Sequence, residues 1–174
     1  MADVFLSLGS NIQRERYITA ALDGLSLTFG KITCSSVYES EAVGFEGDHF
    51  YNLVVGIQTG LQPGELSSAL RQLEANNDRN RDSPRFSART LDIDILSYDQ
   101  HSGSVDGITL PREEILYNAF VLKPLTELAP DQCHPTLGKT YRVLWDAFDK
   151  SSQRLWTVPF VWRGDDLSEK KGPC

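Results

Sequence analysis

"RTLDIDILSYD", residues 89 to 99, places Leu91, Ile93 and Ile95 at every second position and reads as a β-strand with one buried face. The other face carries Asp92 and Asp94, two carboxylates roughly 7 Å apart along a stiff strand. Like charges so placed repel unless a cation lies between them.

Working outward, the segment before this strand is polar and runs from Asn76 to Ala88. Leu66, Ala69, Leu70 and Leu73 precede it at helical spacing, and Pro63 suits a helix start. "YNLVVGIQT" (51–59) reads as a strand, "EAVGFEGDHF" as a loop, and "ITCSSVYES" (32–40) as another strand. Ile18, Ala21, Leu22 and Leu25 form a helical stripe ended by Gly30, with Asn11 as its expected cap. Val4, Leu6 and Leu8 open the chain as a strand. The order β-α-β-β-α-β predicts an α+β, ferredoxin-like sandwich: an antiparallel sheet with helices packed on it. Residues 111–130 read as short helices and Tyr141, Leu144, Trp145 and Phe148 as another helical stripe, a C-terminal helical extension. "QRLWTVPFVW" (153–162) reads as a late strand, confined by Pro159 to a sheet edge. A single domain over 1–162 with a polar tail at 163–174 is expected.

The chain has 174 residues, 40% hydrophobic and 24% charged, which suits one globular domain. A net charge of −7 argues against nucleic acid or an anionic membrane surface as the general partner. No stretch approaches the about 18 apolar residues of a membrane span. "MADVFLSLGSN" lacks the basic-then-apolar build of a secretion signal. Cys34, Cys133 and Cys174 have no metal-ligand spacing and read as reduced thiols, so a cytoplasmic setting is expected. His49, His101 and His134 show no ligand spacing either and read as surface residues.

Mg²⁺ bridges proteins to substrate phosphates through one or two acids, and two acids on one strand face suit a pair of such ions. The bland alternative is a solvated outer face. The flanking sequence bears on that choice: Arg79, Arg81, Arg85 and Arg89 cluster just before the acids. Guanidinium groups grip phosphate oxygens bidentately and stay charged. Arginines adjoining a metal-binding acid pair suit a polyphosphate such as ATP; the alternative is a loop whose arginines pair with surface acids. Asn52 offers a donor and an acceptor to the edge of a heterocycle, and Phe50 and Phe120 offer flat faces to its ring. Each of these three alone is more readily core or surface than ligand-binding.

The motifs "VFLSLGSN", "SSVYES", "FYNLVV", "RQLE", "RTLDIDIL", "NAFVLKPLTELAP" and "HP" at 134–135 occur in consistent order over about residues 3–148. Together they resemble the 6-hydroxymethyl-7,8-dihydropterin pyrophosphokinase family of folate synthesis. The resemblance implies a ferredoxin-like fold and transfer of the terminal two phosphates of ATP to the pterin hydroxymethyl oxygen, with AMP leaving. It implies that Asp92 and Asp94 hold two Mg²⁺ ions, and that Glu74, Arg81, Arg89 and Arg112 lie at ATP. It implies that Ser40, Val43, Phe50, Asn52 and Phe120 bind the pterin. Arg85 and Phe86 match a loop that closes over both substrates, so the expected catalytic set is Arg85, Arg89, Asp92 and Asp94. The expected partners are a small-molecule pterin and ATP, with neither nucleic acid nor membrane, and a monomer. Three places depart from the family pattern: Ser40, Glu41 and Ala42 replace a Thr-Pro-Pro-like turn, Arg112 replaces a His, and Asn118 replaces an Arg. Two competing readings are a divergent enzyme acting on a related pterin and a non-catalytic pterin- or nucleotide-binding module. The latter would have no use for a two-metal site.

Overall fold

A computed structural model describes residues 1–41, 47–79 and 89–168. The elements run β1 (Ala2–Ser10), α1 (Arg14–Phe29), β2 (Thr33–Cys34), β3 (Tyr38–Ser40), β4 (Phe50–Thr59), α2 (Pro63–Ala75) and β5 (Asp92–Tyr98). They continue as β6 (Gly103–Val105), β7 (Ile108–Leu110), α3 (Glu114–Tyr117), α4 (Ala119–Leu128), α5 (Tyr141–Ala147), β8 (Leu155–Thr157), β9 (Val161–Trp162) and β10 (Asp165–Asp166). Among the described residues the main sheet is antiparallel, in the order β5-β1-β4-β3-β8, with β2 also paired to β4. This is the ferredoxin-like order expected from the sequence, extended at one edge by β8.

Alternation along the strands sorts side chains into two cores. Val4, Leu6 and Leu8 of β1, Leu53 and Val55 of β4 and Ile93 and Ile95 of β5 point toward α1 and α2. Those helices meet where Gly24 faces Leu73; a Cβ on Gly24 would come 2.5 Å from the end of the leucine side chain, which would have to move to admit it. Val54 and Leu96 point the other way, into a second core with Ile115, Val121, Leu122, Leu125 and Tyr141. The C-terminal helices thus cover part of the opposite face and leave its Asp92–Asn52 end to the candidate site.

The strict alternation of β5 breaks once. Phe5 pairs with Ser97 but Leu6 pairs with Ile95, so Leu96 is the extra residue of a β-bulge. The bulge sends Leu96 into the second core and returns Tyr98 to the first. The Leu96 carbonyl accepts a 2.8 Å bond from Arg112 N–H, which fixes Arg112 beside β5.

Several expectations change in detail. Residues 32–40 are two short strands, because the Ser35 hydroxyl accepts from Val54 N–H at 2.9 Å and interrupts the ladder. Asn11 does not cap α1, whose first flanking residue is Gln13 in a left-handed conformation. Asp106 and Gly107, both at positive φ, turn the β6–β7 hairpin, which the expected elements omit. His134 is buried rather than on the surface; its Nδ1 accepts from the Thr136 and Leu137 N–H groups at 3.2 Å. The fold also continues past 162, where a tail was expected. β10 pairs with β9, and Leu167 is buried in the first core with its carbonyl accepting from Val37 N–H at 2.7 Å.

Candidate active site

The ladder brings the singled-out residues into rows. Asp92 on β5 faces Gly9 on β1, Gly9 faces Asn52 on β4, and Asn52 faces Tyr38 on β3. Directly paired residues share a sheet face. The next row is Asp94, Ser7 and Val54. Both acids therefore lie on the face that carries Asn52, about two strand spacings or 10 Å from it.

Gly9 is what keeps this face open. A Cβ there would stand 3.1 Å from Asn52 Oδ1 and 3.8 Å from Phe50. Asn52 and Ser40 are both buried, and the amide Nδ2 donates to Ser40 Oγ at 2.7 Å. That bond orients the amide. Phe50, half-buried, pairs across the ladder with Ser40. Phe120, also half-buried, sits near the start of α4 and packs against the second core, which includes Val54 of the same sheet face.

The acids are interleaved with arginines. Arg89 Nη1 donates to Asp92 Oδ2 at 2.7 Å. Arg71 Nη2 and Arg112 Nη2 bracket Asp94, 3.5 Å from Oδ1 and 3.7 Å from Oδ2. Arg112 Nη2 also donates to Glu114 Oε1 at 2.7 Å, while its buried Nε has no hydrogen-bond partner among the described residues. Asn11 anchors the approach to β5: its N–H donates to the Arg89 carbonyl at 3.0 Å, and its Oδ1 accepts from Arg89 N–H at 2.6 Å. The Asn11 Nδ2 reaches the Asp48 carbonyl at 3.3 Å, so one residue ties the Phe50 side of the site to the Arg89 side.

Glu74, expected beside a nucleotide, is 1% exposed. Its Oε2 accepts from Ile93 N–H at 2.9 Å, on the outer edge of β5, and its Oε1 is ion-paired with Arg71. It thus braces the strand that carries both aspartates. Burial pushes its carboxyl up to about 8, with Asp92 and Asp94 adding to the rise against the pull of the Ile93 bond and Arg71. Burial, then the Asp92 charge, raises Asp94 to about 6, although Arg112 and Arg71 oppose it. A folded-state value above the unfolded one means the native state keeps a proton that the unfolded chain has lost. Between the ordinary value near 4.5 and about 8, the Glu74 contribution therefore lowers stability as pH rises. Without divalent cations the melting temperature should fall from pH 6.5 to 8, above the range in which His134, held below its usual value by burial, can matter. Glu74→Gln should flatten that slope in thermal scans; an unchanged slope would show that another group causes it.

A cleft of about 490 Å³ opens beside Asp94, with Ser67, Arg71, Thr109, Arg112 and Glu114 among its lining. Two guanidinium groups and a carboxylate at one end suit a phosphate chain and a hard cation. No group of three or more His, Cys, Asp or Glu side chains gathers as a metal cluster among the described residues. The pair of acids, mutually repelling and partly exposed, fits Mg²⁺, which takes one or two carboxylates and completes its shell with water and phosphate oxygens.

Val43, Arg81 and Arg85 lie outside the described residues. Arg71, Asn11 and Gly9 carry weight that the sequence reading did not assign. Arg71 had a signal, since it stands three residues before Glu74 on one helix face. Gly9 had none, because its role depends on what lies across the ladder.

Residues 5–130 match the family model for 7,8-dihydro-6-hydroxymethylpterin-pyrophosphokinase. The bifunctional protein FolKE of Lactococcus lactis is 37% identical over 134 residues, covering 74% of this chain and 38% of that protein. The 2-amino-4-hydroxy-6-hydroxymethyldihydropteridine pyrophosphokinase of Aquifex aeolicus is 34% identical over 141 residues, covering 80% of this chain and 88% of that protein. The crystal structure of Plasmodium falciparum HPPK-DHPS superposes with a TM-score of 0.64 at 16% identity, over 84% of this chain and 43% of that one. The chain spans less than two fifths of the length of the longer curated relatives it matches. With the family model covering most of its length, this chain belongs to the 7,8-dihydro-6-hydroxymethylpterin-pyrophosphokinase (HPPK) family.

Proposed function

We propose that the chain transfers the β,γ-diphosphate of ATP to the hydroxymethyl group of 6-hydroxymethyl-7,8-dihydropterin, releasing AMP, in folate biosynthesis. The observation that supports this reading is the row Asp92–Gly9–Asn52, which puts an acid suited to a cation and an amide suited to a heterocycle edge on one face, near an arginine-lined cleft. The substrate hydroxyl oxygen attacks the β-phosphorus and gives up its proton to solvent, the bond from that phosphorus to the α,β-bridging oxygen breaks, and AMP departs.

The chain's own residues orient both partners. Asn52, fixed by Ser40, holds the pterin amide edge, and Phe50 and Phe120 take the ring faces. Arg112, Arg71 and Arg89 present positive charge to the triphosphate, and Arg112 Nε supplies a donor that has no other partner among the described residues. Val43 is assigned to the pterin on the family resemblance, and Arg81 to ATP and Arg85 to closure over both substrates on the resemblance together with the arginine cluster that precedes the acids. Asp92 and Asp94 would hold two Mg²⁺ ions, which when bound offset charge on the transferring phosphates. We take the protein to act as a monomer in the cytoplasm, with residues 1–168 as one catalytic domain. No helix among the described residues is long and apolar enough to cross a membrane.

Incubation with ATP, Mg²⁺ and 6-hydroxymethyl-7,8-dihydropterin should yield AMP and the diphosphorylated pterin in equal amounts. ADP as the product would place attack at the γ-phosphorus and end this reading; no nucleotide product would favour a binding module.

A further inference from the structure

The family match ends at residue 130, yet the chain beyond it touches both walls of the site. Gln153 Oε1 accepts from Ala119 N–H at 2.8 Å, and its Nε2 donates to the Tyr117 carbonyl at 2.6 Å. Ala119 is the first residue of α4, directly before Phe120. The flanking residue Asn118 makes no side-chain cap bond, so Gln153 meets a helix-end donor from a distance of 34 residues along the chain. Two residues later β8 begins and pairs with β3, with Leu155 facing Ser40 and Thr157 facing Tyr38. Trp156 Nε1 donates to Glu39 Oε2 at 2.9 Å on the opposite side of that strand. β3 is only three residues long and reaches the site through Ser40, the partner of Asn52. Without β8 it would be a short unsupported edge.

We propose that Gln153–Thr157 is a positioning segment of the pterin site. Gln153 sets the start of α4, and with it Phe120, at a fixed offset from the β3 wall that β8 braces. Gln153 is thus a positioning residue whose bond to Ala119 N–H acts on the pterin side, while its bond to the Tyr117 carbonyl reaches the rim of the arginine-lined cleft. The proposal rests on the reading of Phe120, Ser40 and Asn52 as the pterin site.

Gln153→Ala in the full chain should weaken binding of 6-hydroxymethyl-7,8-dihydropterin about tenfold, about 1.4 kcal/mol, because the bonds that hold Ala119 and Tyr117, and with them Phe120, are lost. Affinity for an α,β-methylene analogue of ATP should fall less than pterin affinity, because Gln153 meets the cleft only through the backbone carbonyl of Tyr117 at its rim. Gln153→Glu keeps the acceptor for Ala119 N–H and should recover part of the pterin affinity. Fluorescence titration of each ligand separately, with Asn52→Ala as reference, reads all of this. Unchanged pterin affinity in Gln153→Ala, beside a weakened Asn52→Ala, overturns the proposal, as does an equal loss for both ligands with no rescue by glutamate. Normal pterin affinity in Asn52→Ala would sink the pterin-site reading itself, and this inference with it.

Discussion

Replacing Asp94 with alanine should lower turnover by about three orders of magnitude while the protein stays folded and melts no lower than the parent. The catalytic loss is of the size seen when a preorganised electrostatic contact to a transferring group is removed, about 10²–10³ for a neutral donor and more where a cation is lost with it. Stability should hold because the Asp94 charge is disfavoured where it stands: burial and Asp92 raise its carboxyl to about 6. Its ion pairs with Arg71 and Arg112 are long, at 3.5 and 3.7 Å, and both arginines keep a glutamate partner in Glu74 and Glu114. Removing one of two repelling carboxylates relieves the other, so the metal-free variant should melt at or slightly above the parent. Turnover at saturating Mg²⁺ and ATP, with melting curves on the same samples, checks both halves. Turnover within tenfold of the parent would remove Asp94 from the metal site, and a melt lower by ten degrees would make it structural.

What could be read in advance follows from which forces act locally. The period of two in Leu91, Ile93 and Ile95 reports one buried face, and the structure buries all three. The same pattern placed Asp92 and Asp94 together on the opposite face, where the register with Ser7 and Gly9 puts them. Periodicity could not anticipate the bulge at Leu96, because a bulge is a property of two strands and not of one. The spacing of Arg71 three residues before Glu74 was legible, but its contact with Asp94 was not, since only the docking of α2 against β5 supplies it. The Asp106-Gly107 turn was legible, since both residues suit positive φ, but the flanking strands are only three residues each and carry no period. The tail was misjudged for a similar reason: Leu167 is one apolar residue among polar ones, and its burial is decided by the gap it fills beside Val37.

The second large effect is expected at Asn52. Its amide is buried, and its Nδ2 already has a partner in Ser40 Oγ, which leaves Oδ1, 3.1 Å from where a Gly9 Cβ would stand, facing the open end of the sheet. A site built to hydrogen-bond a ligand discriminates steeply, because removing the amide leaves the ligand's own polar edge unpaired in a dry pocket. Asn52→Ala should therefore raise the pterin KM by about a hundredfold, with little change in the ATP KM, since Asn52 lies two strands from Asp92. Asn52→Asp separates shape from chemistry. It preserves volume and an acceptor for the Ser40 hydroxyl but removes the amide donor and adds a charge to a buried row that already ends in Asp92. If neutrality and the orienting Nδ2–Ser40 bond matter, Asn52→Asp should bind pterin no better than Asn52→Ala. If it bound like the parent, the amide would be a spacer and the heterocycle would be read by other groups. Steady-state kinetics with each substrate varied in turn separates these outcomes, because the two KM values report opposite ends of the same sheet face.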